Sequence, residues 1–307
     1  MTPDDATSTH HLGLDLGGTN IKWVLAARAA GDWAVLERGQ VATGADDASD
    51  AVVARLVEAA RGAAALSGRA QTIGVGVPGR YHPDAGTTRF LVNFPGHWPD
   101  VRVAEPISAA LGLPTALIND ARAFGLAELR LGAGRGCRSM VGLTLGTGVG
   151  GVMAIDGRLV LGHDGTAGEF GHQVIDPDGP DCNCGTLGCV EAYARADRFA
   201  EACGTETVDE AVRLAREGNR QALGGIDRVG SYLGIGIANA ITIVTPDVVV
   251  IGGGIAAASD LLFPPIRREL ERRITMTDGA RVRLVAAELG PWAGAIGAAV
   301  FGAEAVD

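Results

Sequence analysis

A chain of 307 residues is long enough to bury two cores of ordinary domain size, and 47% apolar with 20% charged residues excludes a disordered chain. A formal charge of −10 argues against nucleic acid or an anionic membrane surface as a partner, since both require clustered basic residues. No basic-plus-apolar signal peptide opens the sequence, and three of the five cysteines fall within eight positions, spacing for a metal rather than a disulfide framework; a cytoplasmic protein is expected.

Residues 1–10 read as a polar leader. Leu12–Leu16 reads as a strand, which Gly17-Gly18-Thr19 turns into a second strand through Ile21–Val24. Ala48–Leu66 carries apolar residues at helical spacing, and Ile73–Val77 is a short buried strand stopped by Pro78-Gly79. Ile107–Leu111 follows as helix, Ala116–Ile118 as strand and Ala121–Leu131 as helix. The pattern then restarts, with strand Met140–Leu145, turn Gly146-Thr147-Gly148 and strand Gly151–Ile155. Two strand–turn–strand units about 130 residues apart predict two structurally related halves. The apolar stretch Tyr232–Ile255 is broken by Asn239, Pro246 and Asp247, which predicts a buried helix and then a strand, not a membrane span. Trp292–Ala305 is small and apolar at helical spacing and is expected to pack back on the first half.

Chemistry concentrates at the glycine turns. In Asp15-Leu16-Gly17-Gly18-Thr19-Asn20, glycines allow close approach of an anion, while open amides and the Thr19 hydroxyl can donate to phosphate oxygens. Asp15, ending its strand, can hold Mg²⁺ through water. A lone Gly-Gly-Thr also fits a plain hairpin turn. The repetition of the pattern at Gly146–Gly148, and a third cluster, Gly252-Gly253-Gly254, after the strand Val248–Ile251, favour phosphate binding. No P-loop sequence is present. Gly74-x-Gly76-x-x-Gly79 matches the dinucleotide fingerprint, but Tyr81-His82-Pro83-Asp84 reads as a turn where that fingerprint opens a helix.

His172, Cys182, Cys184 and Cys189 form H-x9-C-x-C-x4-C, the donor set of a closed tetrahedral Zn²⁺ site. Glu169 and Glu191 flank it closely in sequence, so the metal draws two carboxylates toward one place. Asn119-Asp120 stands between a strand and a helix, where Asp120 can orient a hydroxyl and take its proton; an Asp at that position also fits a helix N-cap.

Together these motifs resemble the ROK family, named for repressors, open reading frames and sugar kinases, within the actin-like ATPase fold. The matches, in order from about residue 12 to 302, are Asp15–Lys22, Gly76-Val77-Pro78-Gly79, Asn119-Asp120-Ala121, Leu145–Gly151, Glu169-Phe170-Gly171-His172 and the run from Cys182 to Glu191. The resemblance implies a two-domain α/β, ribonuclease H-like architecture: residues 1–117 plus 293–307 as a smaller domain, residues 118–292 as a larger one carrying zinc and most nucleotide contacts, and a cleft where sugar and ATP meet. It implies Asp120 as general base and Asn93, Asn119, Glu169, His172 and Glu191 as sugar ligands. Asp15, Gly17, Gly18, Thr19, Asn20 and Lys22, Gly146, Thr147 and Gly148, and Gly252, Gly253 and Gly254 are implied to serve ATP and its Mg²⁺. A homodimer is implied as well.

The implied activity is ATP-dependent phosphorylation of glucose or a glucose-like sugar at O6. Three departures from the family pattern fall on the sugar side: Arg122 where a second Asn is common, the segment Val92–Trp98, and Arg195 where Ser is frequent. They keep an aminosugar or a sugar-like cyclitol open as substrate. A sugar-responsive repressor carries a DNA-binding segment before the first glycine motif, where about eleven residues stand here; a catalytically silent sugar-binding protein is the other rival, and polyphosphate is an alternative donor.

Overall fold

The computed structural model describes residues 8–306. In chain order, the first half contains β1 (Thr9–Leu16), β2 (Asn20–Ala29), β3 (Asp32–Ala42), α1 (Ser49–Ala65), β4 (Ala70–Val77), β5 (Gly79–His82) and β6 (Thr87–Leu91). It continues with α2 (Ala104–Leu111), β7 (Thr115–Asn119) and α3 (Asp120–Arg130). The second half contains β8 (Met140–Leu145), β9 (Val149–Ile155), β10 (Arg158–Leu159), α4 (Val190–Ala194), α5 (Ala196–Cys203) and α6 (Val208–Arg216). After these come α7 (Arg220–Val244), β11 (Val248–Gly252), α8 (Ser259–Arg273), β12 (Arg283–Ala286) and α9 (Ala293–Glu304).

Two compact units result. Unit 1 comprises residues through Arg135, Leu161–Ala167 and the chain from Pro291; unit 2 comprises Gly136–Val160 and Gly168–Gly290. The sequence reading ended the first unit at residue 117. The helix α3, however, packs along α9, and Gly297 of α9 lies so close to the Ala123 carbonyl that a β-carbon would overlap it. That packing keeps α3 in unit 1.

The sheet of unit 1 runs β3-β2-β1-β4-β7, with the first pairs antiparallel and β1, β4 and β7 parallel. Unit 2 repeats this as β10-β9-β8-β11-β12, antiparallel through β8 and parallel beyond. The repetition places the two glycine turns at equivalent positions, between the first two sequential strands of each sheet. The unit 1 core gathers Leu12, Leu14, Ile73 and Val75 with Val52 and Leu56 of α1. On the opposite sheet face, α9 sits directly over Gly13 and Gly74, which explains why its packing residues are Ala295, Ala298 and Ala299. Unit 2 packs Leu233, Ile237 and Ile241 of α7 with Val249 and Ile251.

Some elements differ from expectation. The strand β1 begins at Thr9 rather than Leu12, pairing Thr9 with Arg28 and His10 with Ala27. His11 is buried but bonded through Nδ1 to Thr72 Oγ1 at 2.8 Å, so its polarity masks a strand position. Positions 9 and 10 of the expected leader are therefore strand, and positions 1–7 lie outside the described residues. The strand β3 was not anticipated; it is an edge strand with mostly exposed side chains and no apolar alternation. After β4 the chain forms β5, not the helix of a dinucleotide fold. Tyr232–Ile255 divides into the end of α7 and β11, and among the described residues no helix is long and apolar enough to cross a membrane.

Candidate active site

In unit 1, Asp15 is the penultimate residue of β1, opposite Lys22 on β2 and Gly76 on β4. The following turn closes through Gly17 N donating to Asn20 O at 3.1 Å. Thr43, fully buried past the end of β3, braces this turn: its hydroxyl donates to Gly17 O at 2.7 Å and its N–H to Thr19 O at 2.9 Å. Local sequence gives no sign of Thr43, because its partners lie more than twenty positions away. Gly294, at the start of α9, was missed for the same reason: a β-carbon there would lie 2.6 Å from Asp15 Oδ2. The Lys22 ammonium donates to Pro291 O at 2.9 Å. Burial, reinforced by the charge of Asp120 and only partly offset by Lys22, pushes the Asp15 carboxyl up to about 7. The two carboxylates therefore share one electrostatic environment, which a cation would relieve.

Asn119 ends β7 and caps α3, its Oδ1 accepting from Ala121 N at 3.0 Å and Arg122 N at 3.2 Å. The cap that Asp120 could have supplied is thus taken by its neighbour, and Asp120 is the first residue of the helix. Asp120 Oδ1 accepts from Asn119 Nδ2 at 3.0 Å and Ala121 N at 2.8 Å. Asn93 is exposed after β6, with its β-carbon 3.6 Å from where one would stand on Gly18. Its segment is tightly wound: Gly96, His97, Trp98 and Asp100 all have left-handed φ values, while Phe94 and Trp98 pack together in the core.

In unit 2, the second turn closes through Gly146 N donating to Gly148 O at 2.9 Å, leaving Thr147 exposed. Buried Glu191, on α4, accepts from Val149 N at 2.8 Å, and a β-carbon on Gly148 would lie 2.7 Å from the same carboxylate oxygen. The third glycine cluster packs on this turn's strand, Gly253 lying directly against the Leu145 backbone.

His172, Cys182, Cys184 and Cys189 bring their ligand atoms within 4.8 Å of one another. Cys182 Sγ lies 3.7 Å from His172 Nδ1, and Cys184 Sγ lies 3.7 Å from Cys189 Sγ. A tetrahedron with thiolates ~2.3 Å from zinc has edges of about 3.8 Å, so the donor set fits that ion. The second imidazole nitrogen, Nε2, faces Glu169 Oε2 at 4.0 Å, and Cys182 Sγ lies 3.8 Å from Glu191 Oε1. Both carboxylates flanking the cluster in sequence therefore also flank it in space.

A family model described as the ROK family matches residues 11–304. The glucokinase of Thermotoga maritima is 36% identical, over 94% of this chain and 95% of its own. A solved ROK hexokinase from Thermus thermophilus superposes with a TM-score of 0.84 at 34% identity, covering 97% of this chain and 99% of that one. A ROK family glucokinase from Streptomyces griseus, solved in complex with glucose and AMPPNP, gives 0.79 at 27% identity, covering 96% and 99%. The repeated sheets are those of the actin-like ATPase fold, and with glycine turns, Asn119-Asp120 and the Cys/His cluster all within the matched span, this chain belongs to the ROK family.

Proposed function

We propose that this protein is an ATP-dependent kinase that transfers the γ-phosphoryl group to O6 of glucose, with Asp120 as general base. The observation that carries this is the pairing of a capped, pre-oriented carboxylate at the head of α3 with two structurally equivalent glycine turns, in a chain 36% identical to a glucokinase. Phosphoryl transfer asks for positioning and charge neutralisation more than covalent chemistry. Asn119, fixed by its capping role, holds the Asp120 carboxylate. That carboxylate accepts the O6 proton while the oxygen bonds to the γ-phosphorus and ADP departs with the bridging oxygen. The family resemblance assigns the other hydroxyls to Asn93, Asn119, Glu169, His172 and Glu191.

Gly17, Gly18, Thr19 and Asn20, Gly146–Gly148 and Gly252–Gly254 receive ATP. Lys22 acts as a nearby charge, and Asp15 holds Mg²⁺, which when bound with ATP neutralises phosphate charge. A Zn²⁺ held by His172, Cys182, Cys184 and Cys189 fixes the polar segment that presents both glutamates. A cytoplasmic homodimer completes the reading, resting on the family resemblance and the cysteine usage.

The deciding experiment is a coupled ADP-release assay with Mg-ATP across glucose, mannose, glucosamine, N-acetylated hexosamines and cyclitols. Glucose as the best substrate is the expected result. Strong turnover of an aminosugar or cyclitol with weak glucose would transfer specificity to the segment around Asn93 and to Arg122. Silence on every sugar in folded protein would refute the kinase reading.

A further inference from the structure

Arg122 is only 2% exposed, two positions past Asp120 on α3. Its guanidinium donates from Nη1 to Asn119 Oδ1 at 3.0 Å, and from Nη2 to the carbonyl oxygens of Thr166 at 2.8 Å and Ala167 at 2.9 Å. A planar fork reaches these partners from two separate nitrogens, whereas a lysine ammonium donates from a single point.

The contact with Asn119 has a directional consequence. Its Oδ1 receives three donors: two helix N–H groups and the guanidinium. The other end of the amide, Nδ2, therefore faces Gly79 O at 3.1 Å and Asp120 Oδ1 at 3.0 Å. Rotating the amide by half a turn would set an NH₂ group against a cation and an oxygen against a carboxylate. At its other end the guanidinium pins Thr166 and Ala167, the last residues of the Leu161–Ala167 segment, to α3 within unit 1.

We propose that Arg122 is a positioning residue for phosphoryl transfer: its buried fork fixes the Asn119 amide as a donor to Asp120 and staples the Leu161–Ala167 segment to α3. This rests on the reading of Asp120 as general base. Arg122 acts on catalysis through Asn119, while the staple to Thr166 and Ala167 serves the fold, so its effect on kcat should vanish when Asn119 is removed and only its effect on melting should remain; a purely structural role would not depend on that background.

The test is a double-mutant cycle of Arg122→Lys and Asn119→Ala in the full chain, with Arg122→Gln alongside. The readouts are kcat and both KM values, melting temperature and metal content. Arg122→Lys should lower kcat roughly 10–100-fold with KM for ATP changed less than about 2-fold, the scale of a misplaced catalytic group. In the Asn119→Ala background the same substitution should change kcat by less than about 3-fold. Unchanged kcat in Arg122→Lys, or an equal loss in both backgrounds, overturns the inference. If Arg122→Gln does not fold, Arg122→Lys, which keeps the buried cation, carries the test. A Lys variant that itself unfolds at the assay temperature also overturns the inference, by making Arg122 a residue of the fold alone. Wild-type protein that phosphorylates no sugar would instead defeat the underlying kinase reading, and full kcat in Asp120→Asn would defeat the reading of Asp120 as general base.

Discussion

The carboxylate of Glu191 accepts the backbone N–H of Val149 at 2.8 Å through one oxygen and lies 3.8 Å from Cys182 Sγ through the other. One buried side chain thus joins the second glycine turn to the Cys/His cluster inside unit 2. Charge-assisted bonds to backbone N–H groups are among the stronger polar contacts, about 1.5–3 kcal/mol each. Glu191→Ala is expected to raise KM for ATP roughly 10-fold as well as KM for the sugar, because the turn loses its brace. Steady-state kinetics with each substrate varied checks this; a change confined to the sugar would remove the bracing role.

Asp120→Asn removes the proposed proton acceptor while preserving shape. Turnover should fall about 10²–10⁴-fold, the usual contribution of a general base, with the sugar dissociation constant changed less than about 3-fold. Calorimetric titration with glucose separates the two effects.

Removing the proposed zinc should loosen the segment that carries Glu169, His172 and Glu191. Structural zinc contributes on the order of 10–16 kcal/mol in small peptides, and even about 4 kcal/mol here would lower the melting temperature by ~6 °C in a chain of this size. Cys189→Ser, at a buried member of the proposed ligand set, is expected to copurify with less than one zinc per chain and to show that drop. Metal analysis by plasma mass spectrometry together with thermal melts is the check. Full stability in a zinc-free chain would defeat the structural role.

The Asp15 carboxyl, pushed up to about 7 by burial and then by Asp120, makes the folded protein hold a proton that the unfolded chain releases near its ordinary value of 3.8. Between those two values the native state binds more protons than the unfolded state, so this group's contribution to stability declines as pH rises. Asp15→Asn lacks that decline. Its melting temperature relative to wild type should increase by at least ~4 °C from pH 4.5 to pH 8, while turnover is lost. A difference that stays flat across this range would contradict the shared electrostatic environment.

Gly294 has no side chain where a β-carbon would come 2.6 Å from Asp15 Oδ2. Gly294→Ala must displace either α9 or the carboxylate, at a cost of about 1–3 kcal/mol. Reduced thermal stability with reduced kcat is expected; unchanged kcat would mean that Asp15 tolerates the shift.

The sequence by itself determined what depends on neighbours in the chain. Glycines bunched after apolar strands marked Gly17–Thr19, Gly146–Gly148 and Gly252–Gly254, and H-x9-C-x-C-x4-C marked four side chains that gather in one cluster, because turns and chelates are local. Asn119-Asp120 was legible as a pair, but not the division of labour in which Asn119 takes the cap and leaves the Asp120 carboxylate at the helix head. Tertiary structure decided everything that acts across long loops. Thr43 braces Gly17 and Thr19, Gly294 makes room for Asp15, and α3 joins unit 1 because α9 returns from the far end of the chain. Such contacts carry no local period or motif, since only the closed sheet and its covering helix bring their partners within bonding distance. Arg122 belongs to both kinds of reading: its type is an anomaly visible in the sequence, and its purpose appears only when α3 and the Leu161–Ala167 segment meet.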